Sequence, residues 1–167
     1  MQIAKPYDEA TARRFPEQVA IAIAKDAQAK HNPITASWTT LVSHEPPMMA
    51  VSIGKTRYSL EAIRQAGEFV LSLPSEKMAD DARFHGTESG REMDKLTRCG
   101  TRTQPATQID SVLLADAVAN FECKLESEHE AGDHVIFVGR VVASHVNEDA
   151  SLRRLYVLGN EQMGGLP

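Results

Sequence analysis

The segment Val19-Ala-Ile-Ala-Ile-Ala-Lys25 sets β-branched residues at 19, 21 and 23 against alanines at 20, 22 and 24. A period of two with β-branched residues reads as a strand, because successive side chains leave opposite faces. Everything before Lys25 is small or apolar, so both faces are expected to be covered. A second run, His134-Val-Ile-Phe-Val-Gly-Arg-Val-Val-Ala143, is apolar on both faces and is expected at the centre of a sheet. Gly139 inside it points to a bulge or a barrel bend.

Between these runs the pattern is strands, then short helices, then strands. Lys25 to Lys30 is a polar connection and Asn32-Pro33 starts a turn. Ile34 to Val42 then reads as one strand, forming a hairpin with the first. Met48 to Ile53 is a third strand, entered from Pro46-Pro47, where proline cannot serve a central ladder. Ser59 is placed to cap a short helix ending near Gly67, with Glu61 favourable in its first turn. Glu68 to Leu73 is a fourth strand. Ser75 is placed to cap a helix ending around Gly86, and Glu88 to Leu96 reads as a short helix or an ordered loop. Ala117 to Leu125 alternates, with Ala117, Ala119, Phe121, Cys123 and Leu125 on one face and Val118, Asn120, Glu122 and Lys124 on the other. That is the pattern of a half-buried antiparallel strand. Ala131-Gly132-Asp133 connects it to the strand at 134–143. Short strands with helices inserted predict a small antiparallel barrel. There is no internal repeat or dividing linker, so residues 1–167 are expected to form one domain, long enough to bury a core unaided.

Charge narrows the partners. The formal net charge is -5 and the sequence pI about 5.7. This argues against a nucleic-acid surface, which needs clustered Lys and Arg, and against an anionic membrane. Aromatics at 5% also count against base-stacking platforms. The longest apolar run near the N-terminus, Val19 to Ala24, is far shorter than the roughly 20 residues a bilayer span needs. MQIAKPYDEA has no apolar signal region. Two cysteines, Cys99 and Cys123, make no disulfide framework, so a reducing cytoplasm is the expected compartment.

Three segments carry chemistry. Asn32-Pro-Ile-Thr-Ala-Ser-Trp38 places small and hydroxyl residues beside the only tryptophan. It is either an ordinary strand rich in Thr or an edge whose backbone at Thr35, Ala36 and Ser37 a flat ligand can approach. Ser52-Ile-Gly-Lys-Thr-Arg-Tyr-Ser59 gathers hydroxyls and two cations between a buried strand and a helix start. It is either a solvated loop or a phosphate cradle. Its Gly-Lys-Thr triplet is not a P-loop, which needs a glycine five residues before Gly54, where Met49 stands. Gly90-Arg-Glu-Met-Asp-Lys95 is a solvated face or a lid over a ligand.

The histidines show no paired metal-ligand spacing. His129 and His134, near Glu128, Glu130 and Asp133, read as part of a solvated hairpin loop rather than a metal site. Cys99 lies near Arg98 and Arg102, which would lower its pKa if they faced it, but it reads first as an incidental thiol in a loop. Cys123 is expected in the core. No Gly-x-Gly-x-x-Gly fingerprint is present, so a nicotinamide would not sit in a Rossmann site.

Taken in order, these segments resemble the flavin reductase-like family, which includes flavoredoxins and the reductases of two-component monooxygenases. Asn32 to Thr40 is similar to that family's Asn-x-x-Thr-x-Ser-Trp segment, and Pro46 to Ile53 to its Pro-Pro-apolar strand. Lys55 to Ser59 and Gly67 to Leu73 follow as they do there. Ser89-Gly-Arg-Glu-Met-Asp-Lys-Leu96 resembles the Ser-Gly-x-x-x-Asp-Lys-Phe element, and Gly132 to Val142 the Gly-Asp-His-x-apolar-Gly-x-Val strand. The likeness covers roughly residues 15–160.

The resemblance implies a mainly β, Greek-key split β-barrel that binds FMN near a homodimer interface. It implies an NAD(P)H:flavin oxidoreductase that takes NAD(P)H, or electrons from a redox partner protein. Carried over by position, Asn32, Thr35, Ala36, Ser37 and Trp38 would lie along the flavin ring. Ser52, Ile53, Arg57, Tyr58 and Ser59 would hold the ribityl-phosphate end, and Lys95 would reach the flavin from the inserted segment. No catalytic side chain and no metal are expected, since the cofactor carries the difficult chemistry. Two departures stand out: Leu96 replaces the family's usual phenylalanine, and the tail from Arg154 to Pro167 holds one aromatic, Tyr156. An electron carrier on the same fold, or a barrel module for another ligand, are the alternative readings.

Overall fold

The computed structural model describes residues 1–160 and 162–166. A short N-terminal helix α1 (Tyr7–Thr11) leads into β1 (Glu17–Gln18) and β2 (Ala20–Lys25), and β2 pairs antiparallel with β3 (His31–Ala36). The strand expected over 34–42 is two strands: β3 ends at Ala36, and β4 (Thr39–His44) starts after Ser37 and Trp38. The chain returns as β5 (Pro47–Gly54), then forms α2 (Tyr58–Ala66) and β6 (Glu68–Pro74). A single 3-10 turn (Glu76–Met78) precedes α3 (Ala79–Thr87) and α4 (Lys95–Cys99). Then come β7 (Thr103–Pro105), β8 (Val112–Leu114), the long pair β9 (Ala117–Ala131) and β10 (His134–Val146), and finally β11 (Leu155–Gly159) and β12 (Gln162–Gly165).

The main sheet has the order β3-β2-β6-β9-β10-β5-β4. Its two edge strands, β3 and β4, are joined by only Ser37 and Trp38. A two-residue link cannot cross an open seven-stranded sheet, whose strands stand about 4.8 Å apart. The sheet therefore curls until β3 faces β5 across a seam, and the Ser52 N–H donating to the Trp38 carbonyl at 2.9 Å extends the β4–β5 ladder up to it. The β1, β11 and β12 strands form a separate small sheet. The tail segment read from Arg154 to Pro167 lies largely in that sheet; its Glu161 and Pro167 fall outside the described residues.

The alternation in β2 sorts its side chains as expected. Ala20, Ala22 and Ala24 join one core with Ile53, Phe69 and Phe137, into which α2 packs Leu60 and Ile63. Val19, Ile21 and Ile23 join a second core with Val70, Leu114 and Leu155. Cys123 is fully buried in the first. Gly139 sits at a register shift in the β9–β10 ladder, the bulge read from sequence. A Cβ there would stand 2.6 Å from Phe69 and 2.7 Å from Cys123, so only glycine fits.

Three readings need correction. Ser59 does not cap α2; Arg57 holds the N-cap position, and the Ser59 hydroxyl lies buried with Asn32. Ser75 precedes the 3-10 turn but its buried hydroxyl makes no cap bond. The polar face of β9 is not solvated at Asn120 and Glu122, because the segment from β7 to β8 covers them, whereas Lys124 is exposed. Asn120 accepts from the Ser72 hydroxyl at 2.6 Å and the Leu114 N–H at 3.0 Å. Glu122, 0% exposed, accepts the Thr107, Gln108 and Ile109 N–H groups at 2.8, 2.6 and 3.1 Å and contacts His145 at 2.7 Å. An alternating pattern cannot distinguish a polar face that meets water from one that meets loop backbone.

Burial alone would raise the Glu122 pKa, but these donors outweigh it and hold the carboxyl at about 2, against an ordinary 4.5. A carboxylate depressed this way contributes about 3 kcal/mol to the folded state above pH 5, and that contribution is lost as pH falls toward 2. Glu122→Gln is expected to lower stability by about 2–3 kcal/mol at pH 7. The gap to the parent is expected to narrow by about 2 kcal/mol between pH 7 and pH 3, as urea unfolding at the two pH values would register; an equal loss at both would contradict this account.

Candidate functional site

Barrel closure creates the site. β3 pairs with β2 on one side only, so its other edge is free of ladder bonds. That edge, from Ile34 to Trp38, faces Ser52, Ile53 and Gly54 of β5 across a cavity of about 240 Å³. His134 enters at the mouth because its register partner on β5 is Gly54. Its ring lies 4.7 Å from that of Trp38, which is 52% exposed, and Asp133 holds its Nδ1 at 2.7 Å. Thr35 turns its hydroxyl away to donate to the Ala82 carbonyl at 2.6 Å, which pins the edge to α3. The floor is apolar or small and the rim polar, as a flat ring with polar edges requires.

A second, outer cavity, about 170 Å³, adjoins the first, with Ile34 and Arg57 lining both. It is lined by Thr56 to Ser59 on one side and Gly86 to Arg91 on the other. The two supply the hydroxyls of Thr56, Ser59, Thr87 and Ser89 and the guanidinium groups of Arg57 and Arg91. Arg57 has no carboxylate within salt-bridge distance among the described residues, and it sits at the start of α2, where the helix dipole adds positive potential. Arg91 stacks over the Tyr58 ring at 5.3 Å. Burial, with the nearby Asp26 carboxylate, raises the Tyr58 pKa, and its hydroxyl is engaged with Gln28 at 2.8 Å and Asp26 at 3.1 Å.

Under the second cavity Asn32 is buried and donates to the Ser59 hydroxyl at 2.7 Å. Its Oδ1 is buried without a partner. Gly90 lies against it: a Cβ there would stand 2.0 Å from that oxygen and 2.9 Å from Tyr58, so a side chain would close the cradle. Arg57, Arg91 and the hydroxyls form a donor set suited to a phosphate ester, in a cradle that Gly90 keeps open and that Glu88 also lines.

The structure thus brings together ten of the residues read from sequence, Asn32, Thr35 to Trp38, Ser52, Ile53 and Arg57 to Ser59, around two joined cavities. Lys95 lines neither. Its ammonium is buried and donates to the His85 carbonyl at 3.0 Å and the Glu88 carbonyl at 3.3 Å, at the C-terminal end of α3. Burial, then repulsion by Arg57, lowers its pKa to about 8. His134, read as part of a solvated loop, lines the mouth, and Gly86 to Arg91 form a wall. The glycines at 54, 86 and 90 were the available signal for these. Arg102 does not activate Cys99: it pairs with Asp116 at 2.9 Å, and Cys99, at the end of α4 rather than in a loop, faces Asp81. Burial, with Asp81 nearby, raises the thiol pKa.

The profile of the flavin reductase like domain matches residues 12–166. NADH-dependent FMN reductase AsuE2 of Streptomyces nodosus subsp. asukaensis is 36% identical over 120 residues, 70% of this chain and 62% of that protein. A protein of Archaeoglobus fulgidus is 32% identical over 113 residues, 68% of this chain and 64% of its own length. The chain thus spans less than two thirds of either relative. The FMN-binding protein from Thermus thermophilus with bound p-hydroxybenzaldehyde superposes with a TM-score of 0.85 at 26% identity, covering 99% of this chain and 95% of that one. Flavoredoxin of Desulfovibrio vulgaris (Miyazaki F) shares the fold, with a TM-score of 0.84 at 23% identity over 99% of this chain and 94% of its own. No described helix is long and apolar enough to cross a membrane. From the match along nearly its whole length, the chain belongs to the flavin reductase-like family.

Proposed function

We propose that this protein binds FMN across the two joined cavities and moves hydride from NAD(P)H to the flavin. The observation that carries the reading is Arg57, an unneutralised cation shared by a ring-sized cavity and a hydroxyl-rich one. A flavin mononucleotide has that division, a flat ring at one end and a phosphate at the other. The wall from Gly86 to Arg91 favours FMN over a longer dinucleotide, because it encloses the phosphate end.

When bound, the flavin would supply the hydride-transfer chemistry. The chain's own part is placement. The backbone edge from Thr35 to Trp38 offers N–H groups toward the ring's acceptor edge, where they would stabilise developing negative charge without reorganisation. Ile34 and Ile53 exclude water from one side of the ring. Arg57, Arg91 and the hydroxyls of Ser59 and Ser89 would hold the phosphate, and Ser52 ties the seam. Lys95 acts one step back, fixing the carbonyls at the end of α3 so that Gly86 to Arg91 keep their place. The exposed Trp38, Leu41 and Val42 near the seam support a homodimer as the working form. Two free thiols suit a reducing compartment such as the cytoplasm. A flavin-linked electron carrier fed by a redox partner protein is the alternative on the same site.

Titration of the purified protein with FMN, followed by anaerobic NADH or NADPH, is expected to give saturable binding and then bleaching of the flavin band by one donor. Binding without bleaching would favour the electron carrier, and absence of binding would refute both. Arg57→Ala is expected to weaken FMN by roughly tenfold to a hundredfold, the loss of one or two charge-assisted hydrogen bonds. Riboflavin, which lacks the phosphate, should bind parent and variant alike. Equal FMN affinity in both proteins would remove Arg57 from the phosphate site.

A further inference from the structure

Behind the outer cavity, α3 and the segment after α4 converge on donors that the flavin site does not use. Asp81 and His85 stand four residues apart on α3 and therefore share a face. Cys99 ends α4, and Gly100, in the left-handed region at φ 74°, turns the chain back so that Thr101 joins them. One ligand atom each from Asp81, His85 and Cys99 lies within 4.8 Å of the others. Cys99 Sγ is 3.6 Å from Asp81 Oδ1; Thr101 Oγ1 is 2.8 Å from Asp81 Oδ2 and 3.0 Å from His85 Nε2.

These separations can be set against a metal centre. Tetrahedral zinc, with bonds of about 2.0–2.3 Å, places neighbouring nitrogen and oxygen ligands about 3.4 Å apart and sulfur and oxygen about 3.6 Å apart. With Asp81 ligating through Oδ1, the sulfur–oxygen edge already has that length, and the Thr101–His85 Nε2 edge needs to open by only about 0.4 Å. Burial is graded in the way an entry path needs: His85 is fully buried at the bottom, while Asp81 and Cys99 are half-buried above it. The nitrogen that meets Thr101 is Nε2, and the other ring nitrogen, Nδ1, is buried without a partner among the described residues and takes no part in these contacts.

We propose that Asp81, His85 and Cys99 bind a zinc ion, with the fourth position taken by the Thr101 hydroxyl or water. Thiolate, imidazole and carboxylate together favour zinc over magnesium or calcium, which prefer oxygen alone. As the ion binds, the Cys99 thiol loses its proton to solvent and the thiolate sulfur becomes the ligand. The ion clips α3 to the chain behind α4. Because the end of α3 runs into the Gly86–Arg91 wall, it stiffens that wall without touching the flavin cavities.

The test uses metal-free full-length protein and cobalt(II) as a coloured probe. Difference spectra are expected to show a thiolate-to-cobalt band and visible ligand-field bands that saturate at about one equivalent and disappear when zinc is added. Cys99→Ser should lose the thiolate band, and Asp81→Asn should weaken binding by about tenfold or more, both with the parent's circular dichroism. These positions are half-buried, so the variants avoid the fully buried His85. Absence of saturable bands in the parent, or bands unchanged in Cys99→Ser, would overturn the site and leave a plain hydrogen-bond network.

Discussion

The short link between β3 and β4 governs this molecule. Two residues, Ser37 and Trp38, must carry the chain from one edge of a seven-stranded sheet to the other, and only a closed sheet permits it. Closure has a local cost, since strand pairing is interrupted where the chain changes partners. The interruption leaves backbone of β3 open to a ligand and brings β5 and the start of β10 opposite it. The candidate site is therefore a product of topology. Its small residues, Ala36, Ser37 and Gly54, keep the gap from filling.

The helices complete what the barrel starts. α2 begins beside the seam, with Arg57 at its N-cap position, while its apolar face enters the first core through Leu60 and Ile63. α3 is held to the barrel by the second core through Ala82 and by the hydroxyl of Thr35. The insertion between β6 and β7 thus has one face in the protein interior and one on the outer cavity. Buried polar groups do much of the fixing here. Asn32 with Ser59 ties β3 to α2, Lys95 with two carbonyls ties α4 to the end of α3, and Glu122 ties β9 to the loop before β8.

Strands were the most legible feature of the sequence. Period two survives in β2 because both its faces meet packed layers, and Gly139 announced its bulge because no other residue fits between Phe69 and Cys123. The break at Ser37-Trp38 was hidden, since Thr, Ser and Trp suit a strand on either side of it. Ser59 and Ser75 looked like caps because hydroxyl residues before helices usually are; burial diverted both. Ten of the eleven residues named from motif order gather around the two cavities, but Lys95 could not be placed by order alone. A long flexible side chain next to a glycine-rich loop reaches either a ligand or a carbonyl, and the fold of the loop decides. His134 was misread for the same reason: its loop faces the seam, a fact set by register with Gly54 rather than by neighbours in sequence.

Lys95 and Arg57 also form an electrostatic couple. Burial makes the Lys95 ammonium costly, and the positive charge of Arg57 makes it costlier still. A dianion seated beside Arg57 would cancel much of that repulsion, so its arrival would favour proton uptake at Lys95. By linkage, a protonated Lys95 would in turn favour the anion. Occupancy of the outer cavity and the charge of a residue that never enters it are thereby two readings of one equilibrium.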